Sequence, residues 1–293
     1  MEFRLPFSLL FGKAYTVMFR RFTLLTVPAM LVACVPADDS EDGGDAPRGT
    51  APDTPIPPDV PGGGNAPPPL GGAREVNEKT DLFLFKYSYP QVAGEKAELA
   101  RWLDRRLDRE RNELAARAED GRREARDNGF PFNSYSSYTA WEVVADLPDW
   151  LSLSADLSSY SGGAHPNYGF DTIIWDKQKN VKMEPVAFFT SKDALDKALG
   201  PQLCEALNVQ REERRGQPVD ETSDSMFDAC VKPDETNVLL GSTNGATFNR
   251  IGIQIAPYIA GSYAEGSYEF TFPVTPDLLE VVKEQYRSAF AAN

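Results

Sequence analysis

Residues 149–160 read DWLSLSADLSSY. In an extended chain successive side chains point to opposite faces, so Leu151, Leu153, Ala155 and Leu157 share one side and Ser152, Ser154, Asp156 and Ser158 the other. One face is core, and the other is wet or lightly covered. The flanking stretches suit strands too: YTAWEVVAD (138–146), YGFDTIIWD (168–176) and VKMEPVAFF (181–189), the last as the end of a meander. DKQKN at 176–180 reads as a turn between antiparallel strands. An antiparallel sheet is the frame from which the rest of the chain is read.

Upstream, DLFLFKYSYP (81–90) reads as a first strand, followed by a helix from about Gly94 to Arg123. Leu99, Leu103, Leu107, Leu114 and Ala118, helped by Trp102, mark an apolar stripe on that helix, which needs a sheet to cover it. Downstream, Thr190 with Asp193 has the form of a capping box, and Ala194, Leu195 and Leu199 supply an apolar side. Gly200-Pro201 predicts a break, with a second helix carrying Leu203, Cys204 and Leu207, and 209–225 reads as a polar surface excursion. Strands are expected at 236–241, 245–255 and 267–272. A last helix opens at Thr275-Pro276, with Leu278, Leu279, Val282, Tyr286 and Phe290 inward. The order predicts an α+β fold, an antiparallel sheet packed by helices, in two small subdomains in tandem over 75–160 and 161–293.

Before this folded part lies an export signal. FRRFTLLTVPAMLVA (19–33) places Arg20 and Arg21 ahead of a short apolar run, too short for the roughly 20 residues that span a bilayer. Residues 1–33 are read as a signal peptide, with Met18 an alternative start. Leu31, Val32, Ala33 and Cys34 have the form of a lipobox, which makes Cys34 the lipid-bearing first residue of the mature chain. Residues 34–74 continue as a Pro/Gly-rich tether that cannot bury enough apolar surface to offset its ordering entropy. Val35 rather than aspartate after the cysteine is the outer-membrane sorting pattern, so the expected location is the cell envelope, facing the periplasm.

The formal charge is −14, and removing residues 1–33, with four basic and one acidic residue, takes it to −17. Such a balance repels nucleic-acid phosphates and attracts basic protein partners. With Cys34 committed to lipid, Cys204 and Cys230 remain, and in an oxidising compartment they are expected to form a disulfide.

At 160–168 the chain reads YSGGAHPNY. Its Gly162-Gly163-Ala164-His165 core, followed by Asn167, Tyr168 and Gly169, resembles the extracytoplasmic domain family of unknown function typified by the anti-sigma factor RsiV. The segment from about Val76 to Tyr160 resembles the small domain that precedes the catalytic domain in PdaC-type peptidoglycan deacetylases. IQIAPYIAGSYAEGSYEFTFPVTPDL (253–278) is similar to the closing pattern of the first family. The resemblance implies binding or sensing in the envelope, of lysozyme-like basic proteins or peptidoglycan fragments. It points to Tyr160, Gly162, Gly163, His165, Asn167 and Tyr168 as a recognition loop.

His165 is the only histidine and therefore the natural candidate for acid or base chemistry. Two glycines before it suit a tight turn that the imidazole ties down, and a non-catalytic role is the expectation. The alternatives are a cell-wall-modifying hydrolase using His165, or a structural envelope lipoprotein. Ser161-Gly162-Gly163 is not a nucleophile elbow, one histidine serves metal chemistry poorly, and no cofactor motif is present. Tyr160, Tyr168, Tyr258, Tyr263 and Tyr268 would form a stacking surface if they converged.

Overall fold

The computed structural model describes residues 71–220 and 222–293. The expected signal peptide, Cys34 and the tether as far as residue 70 lie outside them. The described chain opens with β1 (Arg74–Lys79), β2 (Phe83–Tyr89), the single turn α1 (Gln91–Gly94), the long α2 (Ala97–Asn128), β3 (Tyr135–Asp146), β4 (Trp150–Tyr160), β5 (Asn167–Asp176) and β6 (Val181–Met183). It continues with α3 (Lys192–Arg215), β7 (Asn237–Gly241), β8 (Arg250–Ile255), β9 (Tyr268–Pro273) and α4 (Pro276–Glu280). β1 to β6 form a six-stranded sheet in chain order, and β7 to β9 a second, three-stranded one. Pairing is antiparallel throughout except between β2 and β3, which run parallel because α2 crosses over between them. The α+β class with helices packed on antiparallel sheets is as expected. Among the described residues no helix is long and apolar enough to cross a membrane.

The stripe on α2 packs as its spacing requires. Leu99, Leu103, Leu107, Leu114 and Ala118 are buried against Phe85, Tyr87, Trp141, Leu151 and Leu153. At roughly 1.5–3 kcal/mol per large buried side chain, this face outweighs the Arg- and Glu-rich remainder in holding the helix to the sheet. The helix ends at Gly129, whose left-handed φ of 74° no other residue type adopts so freely. DLFLFKYSYP is the second strand rather than the first, because REVNEK forms an exposed edge whose alternation is too polar to stand out.

The second core gathers α3, the three-stranded sheet and the ends of the large sheet near Ala145 and Ile174. The break expected at Gly200-Pro201 does not occur, and α3 runs through Pro201 to Arg215. Leu195, Leu199, Leu203 and Leu207 are fully buried in one continuous stripe. Burying two further leucines offsets the roughly 3 kcal/mol that an interior proline costs. Its cap is Ser191, whose side chain accepts from the Ala194 N–H, one residue after the expected Thr190. The expected strand over 181–189 stops at Met183, because Pro185 opens a 3₁₀ turn. The strand expected from 245 begins only at Arg250, because Asn249 and Asn244 accept from Thr243, Ala246 and Thr247 N–H groups and shape a turn there. Thr275 caps α4 as expected, accepting from Leu278 N at 3.2 Å. That helix ends at Glu280, after which Val282 bridges to Phe189 and Phe290 to Phe248.

Two hydrophobic cores thus exist, but they share one sheet. The expected division at 160/161 falls in the turn between β4 and β5, which pair from Trp150–Asp176 to Ser159–Asn167. The face of the large sheet away from α2 is covered where Ser152 and Ile174 lie, and open around Tyr138 and Tyr168.

Candidate recognition site

The β4–β5 turn carries the GGAH stretch. Gly162 and Gly163 both take φ near +93°, a region closed to side-chain-bearing residues without strain, so the chain reverses there on two adjacent glycines. The Tyr160 hydroxyl donates to the Gly163 carbonyl at 3.1 Å and pins the turn. His165 Nδ1 donates to the Pro166 carbonyl at 3.0 Å, since a carbonyl only accepts. Its Nε2 lies 3.2 Å from the Tyr258 hydroxyl.

The imidazole is also one layer of an aromatic stack. It lies on Tyr263 with ring centroids 3.6 Å apart and planes 16° from parallel. Tyr263 in turn faces Tyr168 at 6.2 Å and Tyr258 at 5.8 Å. Tyr168 and Tyr258 remain about half exposed, at 50% and 49%. Burial and the neighbouring Tyr168 both push the Tyr263 hydroxyl pKa up, so the edges stay hydrogen-bond donors near neutrality. Tyr258 holds a left-handed φ of 71°, which is unusual for an aromatic residue and keeps its ring turned toward His165.

Tyr258 and Tyr263 lie on the loop between β8 and β9, and the last turns of α3 hold that loop. Arg211 is fully buried and donates to the carbonyls of Ala260 at 2.9 Å and Ala229 at 3.0 Å, and to Asn208 Oδ1 at 3.0 Å. Arg214 donates to the carbonyls of Glu265 and Ser267 and lies 3.9 Å over the Tyr268 ring. Arg215 bridges Glu265 at 2.8 Å and Asp228 at 2.6 Å. A Cβ at Gly261 would sit 2.5 Å from a Glu265 carboxylate oxygen, so a larger residue there would push that carboxylate off its partners. The expected surface excursion over 209–225 is therefore corrected for its first part: residues 209–215 are helix, and three of their arginines hold the loop in place.

Glu265 is the electrostatic centre of this loop. Burial alone would raise its pKa, but donation from Tyr268 at 2.5 Å, from Ser262 N–H at 2.9 Å and from Arg215 overcomes that and holds the carboxyl at about 2. A lowered folded pKa stabilises the fold above the usual carboxylate range and loses that contribution as pH falls through the folded value. At neutral pH, Glu265→Gln should therefore be less stable than wild type by about 1–2 kcal/mol, after allowing for solvent screening. The gap should close between pH 4.5 and about 2, read as urea midpoints at successive pH values. A gap independent of pH would remove Glu265 from this role.

The structure joins some expected residues and separates others. His165, Tyr168, Tyr258 and Tyr263 converge, and Tyr160, Gly162 and Gly163 shape the turn beneath them. Asn167 only heads β5, opposite Ser159, and Tyr268 is buried in the second core. Neither nearby aspartate orients the imidazole. Asp171 pairs with Arg106 on the α2 face, and Asp156 stands on the open face beside the charges of Glu142 and Glu269. Partial withdrawal from water raises the pKa of Glu142 and Asp156, and their like-charged neighbours push in the same direction. The arginines at 211, 214 and 215 escape a reading of the sequence, although their i, i+3, i+4 spacing continues the Leu203–Leu207 stripe.

Residues 76–168 match the family described as deacetylase PdaC, over the segment for which that resemblance was expected and on through the GGAH turn. No curated protein matches the chain. Crystal structures similar to it include two of the DUF3298 family. A member of the DUF3298 family from Bacteroides fragilis is 15% identical over 74% of this chain and 95% of its own, with a TM-score of 0.49. A DUF3298 family protein from Pseudomonas aeruginosa PAO1 is 16% identical over 77% and 98%, with a TM-score of 0.47.

Proposed function

We propose that this chain is a lipid-anchored binding or sensing protein of the bacterial cell envelope, tethered through Cys34 to the outer membrane and facing the periplasm, and that it takes peptidoglycan fragments on the His165–Tyr168–Tyr258–Tyr263 patch. The observation that carries this reading is the stack itself. Aromatic rings of which Tyr168 and Tyr258 stay about half exposed, carrying tyrosine hydroxyls and with Tyr258 and Tyr263 on a loop held by three arginines, suit a sugar ring, which offers an apolar face and a hydroxyl rim. The lipobox and tether support the anchor, and the likeness of 161–293 to the RsiV-type domain supports a sensing task. Hydrolysis through His165 is the weaker reading, because Pro166 and Tyr258 engage both ring nitrogens and, among the described residues, no carboxylate backs them.

A second reading rests on charge. Glu142, Asp156 and Glu269 crowd one side of the open face within a chain of formal charge −14, which suits a lysozyme-like basic protein.

Calorimetry of the full chain in detergent separates the two. Muropeptides, whose stem peptides are net anionic like the chain, should bind with an affinity that falls about tenfold, roughly 1.4 kcal/mol, in Tyr263→Ala and that does not weaken as salt is raised. A lysozyme ligand would instead bind more weakly as salt is raised. Heat from neither ligand, or affinities indifferent to Tyr263, would end the assignment of this patch as the recognition surface.

A further inference from the structure

The register of the large sheet places a polar and aromatic row across its open face. Asn77 of β1 lies opposite Lys86 of β2, Lys86 opposite Tyr138 of β3, Tyr138 opposite Ser158 of β4, and Ser158 opposite Tyr168 of β5. All five point away from α2, because their sequence neighbours supply the α2 face: Phe85, Tyr87, Trp141 and Leu157 belong to that core, and Thr139 bonds Glu110 of α2. Tyr138 is 42% exposed and Tyr168 50%, so both rings are within reach of a ligand on this face. The next row holds Ala140 and Asp156.

Tyr138 and Tyr168 stand two strands apart, roughly 10 Å, with the short Ser158 between them. Two exposed rings at that interval, separated by a small hydroxyl, form a line of stacking positions that continues from Tyr168 into Tyr263 and His165. This spacing suits alternate sugars of a β-1,4-linked chain, whose disaccharide repeat is of similar length. The chemistry also selects the polymer. Negative net charge opposes uronic-acid or phosphate polymers, and the only row cation is Lys86. Neutral hexosamine chains face no such repulsion, and Asp156 and Ser158 offer acceptors to their hydroxyl and amide groups.

We infer that the binding site extends beyond the patch as a track for a linear β-1,4-linked N-acetylhexosamine strand, running across β5, β4 and β3, with Tyr138 as its far stacking position. This rests on the glycan reading of the patch.

The test uses the full chain in detergent with N-acetylglucosamine oligomers of two and six sugars, in wild type, Tyr138→Ala, Tyr138→Phe and Tyr263→Ala, each checked for an unchanged unfolding midpoint. In wild type the hexamer should bind about tenfold more tightly than the dimer. Tyr138→Ala should remove most of that difference while leaving dimer affinity intact, and Tyr138→Phe should retain it. Tyr263→Ala should weaken both oligomers. If Tyr138→Ala keeps the full length dependence, the track is wrong while the patch stands. If neither oligomer binds, the glycan reading falls and the track with it. Binding confined to a lysozyme-type protein would overturn both in the same way.

Discussion

Replacing Arg211 by methionine should lower the unfolding free energy by about 3–5 kcal/mol, measured as a shift of the urea transition. Methionine fills a similar volume, so the loss reports hydrogen bonding rather than a cavity. The guanidinium reaches the carbonyls of Ala260, Ala229 and Asp228; without it Ala229 and Asp228 lose their side-chain donor, and Ala260 keeps only the longer 3.3 Å bond from Arg215. A buried carbonyl stripped of its partner costs about 1–3 kcal/mol. Burial and the charge of Arg215 lower the guanidinium pKa, so this arginine is kept charged against a desolvation cost, and its partners repay only part of it. Arg211→Lys should recover only part of the loss, because an ammonium cannot span carbonyls on two separate segments as a planar fork does. A loss below about 1 kcal/mol in the methionine variant would mean that water reaches those carbonyls and that α3 does not hold the loop through Arg211. The same substitution should also weaken glycan binding, since Ala260 lies between Tyr258 and Tyr263 on the loop that Arg211 secures.

Removing the disulfide should cost nearly as much. Cys204 of α3 is bonded to Cys230, with Cα atoms 5.1 Å apart and 26 residues of separation. Closing a loop of that length restricts the unfolded chain by about 3–4 kcal/mol in the chain-entropy account. Cys204→Ser with Cys230→Ser, or the wild type under reductant, should show this loss in the urea midpoint, and no shift would mean that the bond adds nothing the hydrogen bonds do not already supply. The two effects should not be independent. Arg211 and the disulfide both fasten residues 228–230 to α3, so combining Arg211→Met with the serine pair should cost less than the two losses added. Strict additivity would show that the segment is held elsewhere.

Much of the fold was legible because it follows from local periodicity. The alternation in 149–160 placed β4 and its neighbours, and the leucines of α2 gave that helix its buried face. The errors are equally physical. Gly200-Pro201 reads as a break because propensity is a local quantity, whereas the burial of Leu203 and Leu207 that carries α3 through it depends on sheets remote in the chain. Arg211 reads as surface for a similar reason: a charged residue enters a core only when carbonyls from elsewhere converge on it, and no window around residue 211 contains Ala260.

The sequence by itself determined the α+β class, the inward face of α2, the cap at Thr275, the Cys204–Cys230 pairing and the need for two glycines at the β4–β5 turn. Each of these follows from the backbone or the periodicity of a few neighbouring residues, or from the count of available thiols. Only the tertiary structure decided that His165 meets Tyr258 and Tyr263, ninety-odd positions along the chain, and that Tyr138, Ser158 and Tyr168 fall in one row. Such meetings are set by strand register and by how the arginines of α3 fasten a loop, long-range constraints that leave no period in the sequence.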